Sequence, residues 1–253
     1  TKIIAREMAY HGTTMGALSA TGIPRIREPF MPLLSGVRHF PNTLGEQIPE
    51  GGTAADLPSL RALNAIIEEE GADTIAVLFA EPVQNSRGAL VPPDGYWREL
   101  QAICHRHDIL LVADEVITAF GRVGSWFASA DYGAIPDMIT FAKGSTSGYA
   151  PLGGVIVRDE VMNGVRGGAA GSFIHGATWG GHPVATAIAV ANITAMRDES
   201  VLDNVRALQA RLRAGLNRML ENHRSLREWR GAGFFYALEF TADRDSGREL
   251  TDR

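Results

Sequence analysis

Two polar side chains that could take part in a chemical reaction follow apolar runs that are typical of buried strands. Asp114 directly follows the run 109–113, and Lys143 follows the run 138–141. A strand end is a rigid place to mount a reactive amine, and the adjoining Gly144 lets a ligand approach the backbone. An aspartate and a lysine at the ends of two such strands predict a site that holds a charged ring cofactor, with the lysine as its nucleophile.

Two further candidate strands also lead into polar residues. Tyr10 and His11 come shortly after the first strand, and Glu81 follows the second. A single carboxylate at a strand end often only caps the next helix. Four polar strand ends in one sheet instead favour a shared site, because ligands of open α/β sheets bind at the carboxyl ends of the strands.

The elements that must position these residues alternate between strands and amphipathic helices. Such alternation predicts an α/β fold with a mostly parallel sheet covered by helices on both faces. A large domain is predicted over 1–198, followed by part of a smaller α+β domain over 199–253. Residues 23–53, rich in Pro and Gly, are predicted to be an extended loop, and the Ala-rich helix 183–197 is predicted to be buried. The predicted strands are Lys2–Ala5, Thr74–Phe79, Ile109–Ala113, Met138–Phe141, Gly154–Val157 and Phe234–Phe240, and the other predicted helices are Leu57–Glu70, Tyr96–His107 and Val201–His223.

The composition and charge of the chain argue against several kinds of partner and site. The 253 residues carry a formal net charge of −5 and no dense basic patch with interleaved aromatics, so nucleic acid is not an expected partner. No apolar run has the length of a membrane span. The single cysteine, Cys104, excludes an intrachain disulfide and fits a reducing cytoplasm. With His105 and His107 it shares a predicted helix end whose side chains diverge, so no metal site is predicted.

Five motifs in a fixed order carry a resemblance to a known family. Each motif alone is weak, but the ordered set is specific and extends over essentially the whole chain. The chain resembles the class III aminotransferases, the omega-transaminase group of fold type I enzymes that use pyridoxal 5′-phosphate (PLP). The motifs are Tyr10-His11-Gly12, Glu81-Pro82-Val83-Gln84, Asp114-Glu115-Val116-Ile117 with Phe120-Gly121-Arg122-Val123-Gly124, Ala142-Lys143-Gly144, and Gly176-Ala177-Thr178-Trp179-Gly180-Gly181-His182-Pro183.

The resemblance implies roles for residues around a PLP ring. Lys143 would form a Schiff base with PLP, and Asp114 would pair with the pyridine nitrogen and so favour its protonated form. Tyr10 would stack on one face of the ring and Val116 would pack on the other. His11 belongs to the same cofactor-binding group, with an alternative role as a hydrogen-bonding residue at a helix start.

Two further residues are assigned by the same resemblance. Glu81 would lie near the cofactor and help to orient the substrate side. Thr178 would bind the phosphate of the partner subunit's cofactor, which implies a homodimer. The family pattern also includes a preceding segment with a Gly/Ser-rich helix start for the phosphate, and a following segment that often has an arginine for the substrate carboxylate. Neither pattern is matched in this sequence.

The implied function is transfer of an amino group from an amine or amino acid to a keto acid such as pyruvate. An aminomutase or a decarboxylase of the same fold would use the same Lys143 and Asp114, and a truncated, non-catalytic dimeric homologue is a further alternative. A nicotinamide-dependent dehydrogenase is disfavoured, because no Gly-x-Gly-x-x-Gly turn follows a candidate strand.

Overall fold

A computed structural model of the chain describes residues 1–168, 171–246 and 250. Strands and helices alternate through the first two thirds of this chain, and a long helix followed by a strand pair comes last. The strands are β1 (Lys2–Arg6), β2 (Val37–Phe40), β3 (Ile75–Ala80), β4 (Leu110–Asp114), β5 (Met138–Phe141), β6 (Gly154–Val157), β7 (Leu226–Ala232) and β8 (Phe235–Phe240). The α-helices are α1 (Met15–Ala20), α2 (Pro24–Arg27), α3 (Pro58–Glu70), α4 (Tyr96–Arg106), α5 (Ala128–Asp131), α6 (Asp159–Gly167), α7 (Pro183–Asp198) and α8 (Val201–Asn222).

Six strands form one sheet in the order β2-β1-β3-β4-β5-β6. All neighbouring pairs from β2 to β5 are parallel, and β6 joins β5 in an antiparallel manner at the edge. The expected mostly parallel α/β fold is therefore confirmed. In this register Asp114, the last residue of β4, lies opposite Thr140 of β5.

The strand order reverses direction at β1. The chain runs from β1 to β2 on one side and then to β3 on the other side of β1. Connections that leave in opposite directions open a crevice at the carboxyl ends of the two central strands, where α/β proteins bind their ligands. The segments that follow β1 and β3 contain Tyr10, His11 and Glu81, so topology alone places these residues at such a crevice.

Helices α3 and α4 provide much of the core behind the crevice. Leu60 and Leu63 of α3 and Trp97 and Leu100 of α4 are at most 1% exposed and belong to one apolar cluster with the sheet. Full burial of a large apolar side chain contributes roughly 1.5–3 kcal/mol relative to its exposure. The Trp97 Nε1–H also donates a hydrogen bond of 3.3 Å to the Pro82 carbonyl, which ties α4 to the turn after β3.

The prediction of an extended loop over 23–53 was wrong. Helix α2 and strand β2 both lie within it, and β2 forms an edge of the sheet. The four residues of β2 are too few to show a clear alternation, and they are flanked by Gly36 and Pro41, which are typical of turns. The strand forms because β1 offers it a parallel partner along its whole length.

The prediction that the Ala-rich helix is buried was also wrong. Of α7, only Ala185 and Ala189 are buried, whereas Val184 and Val190 are 60% and 66% exposed. Its apolar sequence indicated burial but could not indicate what covers it. In the described residues of this single chain, much of that surface faces outward.

Helix α8 packs against the two-stranded antiparallel sheet of β7 and β8. The Trp229 Nε1–H of β7 donates to Asn217 Oδ1 at 3.0 Å, and Arg213 Nε–H donates to the Tyr236 hydroxyl at 2.8 Å. Strand β7 was not predicted, since its charged residues show no apolar alternation. The division of the chain into domains at residue 198 stays a prediction. None of the described helices is both long and apolar enough to cross a bilayer.

Candidate active site

The carboxyl ends of β1, β3, β4 and β5 meet at one cavity of about 120 Å³. Four segments that are far apart in the chain therefore contribute to a single site, as the polar strand ends predicted. Of the residues predicted from the sequence, the cavity is lined by Tyr10, His11, Glu81, Asp114, Val116 and Lys143.

His11 and Asp114 form the tightest polar contact in the cavity. His11 Nδ1 lies 2.7 Å from Asp114 Oδ2, and the two side chains are 4% and 9% exposed. Because a carboxylate accepts, Nδ1 carries the proton in this pair. Asp114 Oδ1 accepts the Val116 N–H at 3.1 Å, which orients the carboxylate at the end of β4. The alternative interpretation of His11 as a hydrogen-bonding residue at a helix start is wrong, because the N-cap of α1 is Thr14 and the His11 ring hydrogen-bonds Asp114.

Glu115, the neighbour of Asp114, has a different function. It is fully buried, and its carboxylate accepts the backbone N–H groups of Ala128 and Ser129 at the start of α5, together with the Thr118 hydroxyl. An acidic group at a helix start is stabilised by the free N–H groups there. Of the two adjacent acidic residues, only Asp114 lines the cavity.

Glu81 links the segments that follow β1 and β3. Its Oε1 accepts the Tyr10 N–H at 3.2 Å and its Oε2 accepts the Asn85 N–H at 2.9 Å. Burial raises the pKa of this carboxyl, and its interactions with His11, the Asn85 N–H and Arg6 oppose the rise. Glu81 thus fixes the backbone on both sides of the crevice, in addition to lining it.

Arg6 lies beneath this arrangement and was not predicted. It is fully buried at the end of β1, its Nη2 donates to the backbone carbonyl of Glu81, and its guanidinium lies 5.9 Å from the centre of the Tyr96 ring. Burying a charge is costly unless other groups compensate it, and the Glu81 carbonyl and the Tyr96 ring are the contacts that offset this cost for Arg6. The only signal in the sequence is an arginine that directly continues an apolar strand.

Lys143 begins the tight turn that follows β5. Its φ of +37° lies in the left-handed region, which is uncommon for a residue with a side chain. Such conformations are held in place by their surroundings and concentrate at functional sites. The Lys143 side-chain nitrogen makes no hydrogen bond or ion pair with any residue in the described ranges, so no partner holds it away from a ligand in the cavity.

Asn192 of α7 holds this turn and was also missed. Its Nδ2 donates to the carbonyls of Gly144 and Ser145 at 2.9 and 3.0 Å, and its Oδ1 accepts the Ser147 hydroxyl at 2.7 Å. One carboxamide therefore pairs with three groups that directly follow Lys143. The sequence offers a faint signal, since Asn192 is a lone amide in an otherwise apolar stretch of the helix.

A second cavity, of about 350 Å³, shares Lys143 with the first one. Its other walls are mainly apolar and include Phe120, Met196 and Phe234. The lysine therefore stands between a polar cavity that contains Asp114 and a larger apolar space. Within the described residues, no three His, Cys, Asp or Glu side chains are arranged to hold a metal ion.

The residues of the first cavity fit the cofactor that the resemblance implies. Asp114 keeps lone pairs for a ring nitrogen after its two hydrogen bonds. Lys143 offers an unpaired amine, and the aromatic Tyr10 and the aliphatic Val116 line the same space. A carboxylate, a free amine and flat or apolar walls are the groups needed to hold a pyridinium aldehyde.

Thr178 is the one predicted site residue that lies elsewhere. It is exposed, in the turn that precedes α7, and it does not line this cavity. Its contact with the phosphate of the partner subunit's cofactor stays a prediction.

Comparison with known proteins agrees with this geometry. A sequence profile described as Aminotransferase class-III matches residues 1–253. The chain is 43% identical over 258 aligned positions to "Probable aminotransferase Rv3329" of Mycobacterium tuberculosis, covering 99% of this chain and 54% of that protein. It is 38% identical to the putrescine–pyruvate aminotransferase of Pseudomonas aeruginosa, covering 99% of this chain and 55% of that protein.

The fold of the chain is also similar to that of a solved transaminase structure. The amine transaminase of an uncultivated Pseudomonas species, determined in its PLP-bound form, superposes with a TM-score of 0.90 at 34% identity, over 99% of this chain and 57% of that one. The chain thus spans about half the length of the relatives it matches. By both sequence and fold, the chain belongs to the class III aminotransferases.

Proposed function

We propose that this chain carries the reactive lysine of a PLP-dependent aminotransferase, which moves an amino group from an amine or amino acid to a keto acid such as pyruvate. The observation that carries the proposal is the convergence of Lys143 and the His11–Asp114 pair on one cavity. The pyruvate-type acceptor is supported by the putrescine–pyruvate aminotransferase among the relatives.

Lys143 would hold the cofactor covalently, Asp114 would accept a hydrogen bond from its ring nitrogen, and Tyr10 and Val116 would flank the ring. When bound, PLP supplies an aldehyde for the amine and a cationic ring that accepts the electron pair of a broken C–H bond.

His11, Lys143 and Glu81 would each have a separate role around the bound cofactor. His11 donates Nδ1–H to Asp114 and so orients that carboxylate. When it is not bonded to the cofactor, the Lys143 amine would take a proton from the substrate carbon and deliver it to the aldehyde carbon of the cofactor. Glu81 holds the Tyr10 and Asn85 backbones that border the substrate side.

A homodimer with the Thr178 loop at the partner subunit's cofactor is part of this proposal. The exposed apolar side chains around that loop support it, since Trp179 is 76% and Val184 60% exposed. Replacing Thr178 with alanine is expected to weaken PLP retention, and an unchanged PLP affinity would remove Thr178 from the site. A cytoplasmic location is proposed as well, and the single free cysteine, which is buried, supports it.

The deciding experiment is borohydride reduction of the full-length protein in PLP, followed by peptide mass spectrometry. A pyridoxyl-phosphate adduct on Lys143, absent from Lys143→Ala, is the expected result. An unlabelled Lys143 in a folded, full-length chain would defeat the proposal. Product analysis separates the alternatives, because an aminotransferase passes nitrogen to the acceptor, a decarboxylase releases CO₂ and an aminomutase requires no acceptor.

A further inference from the structure

A loop that borders the candidate site is held from outside by one arginine of the two-stranded sheet. The loop comprises residues 85–89, directly after the Glu81–Gln84 turn. Arg230 of β7 donates from Nε to the Gly88 carbonyl and from Nη2 to the Arg87 carbonyl, both at 2.7 Å. The first of these contacts joins residues 142 positions apart in the sequence.

The conformation of this loop requires such support. Arg87, Gly88 and Ala89 have φ values of +72°, +90° and +48°, all in the left-handed region. Arg87 and Ala89 carry side chains that disfavour this region, so each adds a cost of roughly 1 kcal/mol or more. A Cβ added at Gly88 would lie 2.9 Å from Arg230 Nη2 and 3.1 Å from Ala237 Cβ, so loop and sheet are in direct contact.

Arg230 is itself held in place. Both of its terminal nitrogens lie 3.0 Å from Glu239 Oε2 on β8, and its Nη1 also pairs with Glu228. The Arg230 side chain is only 22% exposed, so its guanidinium is shielded from much of the solvent. A planar guanidinium can serve a carboxylate and two carbonyls at once, which a lysine ammonium at the end of a flexible chain cannot do with the same geometry.

The loop in turn reaches the site through its first residue. The Asn85 N–H donates to Glu81 Oε2, Asn85 lines the cavity, and the Asn85 carbonyl accepts the N–H groups of Gly88 and Ala89. Gln84 and Leu90 close the base of the loop with two backbone hydrogen bonds. A continuous series of contacts therefore runs from Glu239 through Arg230 and the loop to Glu81.

We propose that Arg230 is a positioning residue of the candidate site: it holds the 85–89 loop in the strained shape that presents Asn85 to the cavity and to Glu81. Its effect on catalysis rests on the proposed aminotransferase function, whereas its effect on the loop does not. Arg230 acts through Asn85 and Glu81, so its loss affects the binding of the amino donor more than the turnover of bound substrate.

The first measurement is hydrogen–deuterium exchange of the full-length protein, read at the peptide that covers 83–90. Arg230→Gln and Arg230→Lys should each raise exchange at this peptide by about tenfold or more, while the β4 peptide 109–114 stays protected. Arg227→Gln is the matched control, because Arg227 lies on the same strand and pairs with the same Glu239 but has no bond to the described loop. Adding Arg87→Gly to Arg230→Gln should restore part of the protection, since glycine adopts positive φ without strain.

The second measurement is steady-state kinetics. For Arg230→Lys, KM for the amino donor should rise about tenfold, the effect of one lost hydrogen bond, with kcat changed less than threefold. Unchanged exchange in Arg230→Lys would overturn the proposal even if Arg230→Gln fails to fold. Faster exchange with an unchanged KM would also overturn it, because Arg230 would then be a structural link only. A failure of the proposed function appears separately, as absence of any amino transfer by the wild-type enzyme.

Discussion

His11 and Asp114 are 103 residues apart in the sequence and share a buried hydrogen bond of 2.7 Å between Nδ1 and Oδ2. The bond joins the segment after β1 to the end of β4 across the intervening β3. The second oxygen of Asp114, Oδ1, accepts a hydrogen bond from the Val116 N–H. The histidine and the backbone together therefore fix the direction of the carboxylate. The orientation of the predicted ring-binding aspartate therefore depends on a histidine from the segment that follows β1.

Loss of this hydrogen bond should reduce turnover without removing the lysine chemistry. His11→Phe keeps a ring beside Phe79 but removes the donor to Asp114 Oδ2. Because a hydrogen bond to a charged group contributes about 1.5–3 kcal/mol, kcat/KM should fall about 10- to 150-fold. His39→Phe is the matched control, since His39 bonds the Ala20 carbonyl and does not line the cavity. Equal losses of activity in both variants would contradict the role of His11.

The charge of Asp114 can be separated from its shape. Asp114→Asn keeps an acceptor for His11 but removes the negative charge, so turnover should fall by roughly a thousandfold or more. Borohydride should still trap PLP on Lys143, because the lysine is untouched. The control is Asp137→Asn, a buried aspartate that accepts the Leu111 N–H at 2.8 Å outside the site. Near-normal turnover in Asp114→Asn would exclude the pairing with the ring nitrogen.

Asn192 should matter for the position of Lys143. Asn192→Asp preserves the size of the side chain and the acceptor for Ser147, but it places an oxygen against the carbonyls of Gly144 and Ser145. Its free energy of unfolding should fall by about 1–3 kcal/mol, the usual cost of unpaired polar groups. The rate of PLP trapping at Lys143 should fall as well, and Ser147→Ala should lower it less. An unchanged rate of PLP trapping in Asn192→Asp would show that the turn after Lys143 keeps its shape without the hydrogen bonds of Asn192.

The raised pKa of Glu81 predicts a specific dependence of stability on pH. Burial raises the pKa of this carboxyl in the folded protein, so the unfolded chain loses its proton at a lower pH than the folded one. The contribution of Glu81 to the free energy of unfolding is therefore most favourable below the unfolded pKa of about 4.3 and is lost as the pH rises through the folded pKa. The loss is about 1.4 kcal/mol for each unit by which the pKa is raised.

Glu81→Gln removes this titration, and urea unfolding of both proteins between pH 4 and pH 8 measures the difference. The variant loses one acceptor for the Tyr10 or Asn85 N–H, which adds an offset that does not depend on pH. Relative to the variant, the wild-type protein should lose stability with rising pH. A difference that stays constant over this range would contradict the raised pKa.

The sequence allowed five of the six strands of the large sheet and most of the cavity to be predicted, for identifiable reasons. Continuous apolar runs mark buried parallel strands, and a polar residue at the end of such a run is easy to find, as with Asp114 and Lys143. Arg6, Asn192 and Arg230 were missed because each acts on backbone carbonyls that only the tertiary fold brings near. The role of His11 was uncertain for the same reason, since no local pattern connects it to a residue 103 positions away.

The strand order also has a consequence for how this protein acquires its function. The cavity draws on four adjacent strands, so it is absent until all four have paired, and pairing of distant parallel strands is a slow step in folding. A ligand that recognises the cavity binds only folded molecules, and at a hundred times its dissociation constant it would stabilise them by about 2.7 kcal/mol. Core substitutions far from the cavity that lower the yield of folded protein should accordingly be rescued by supplying the cofactor during synthesis.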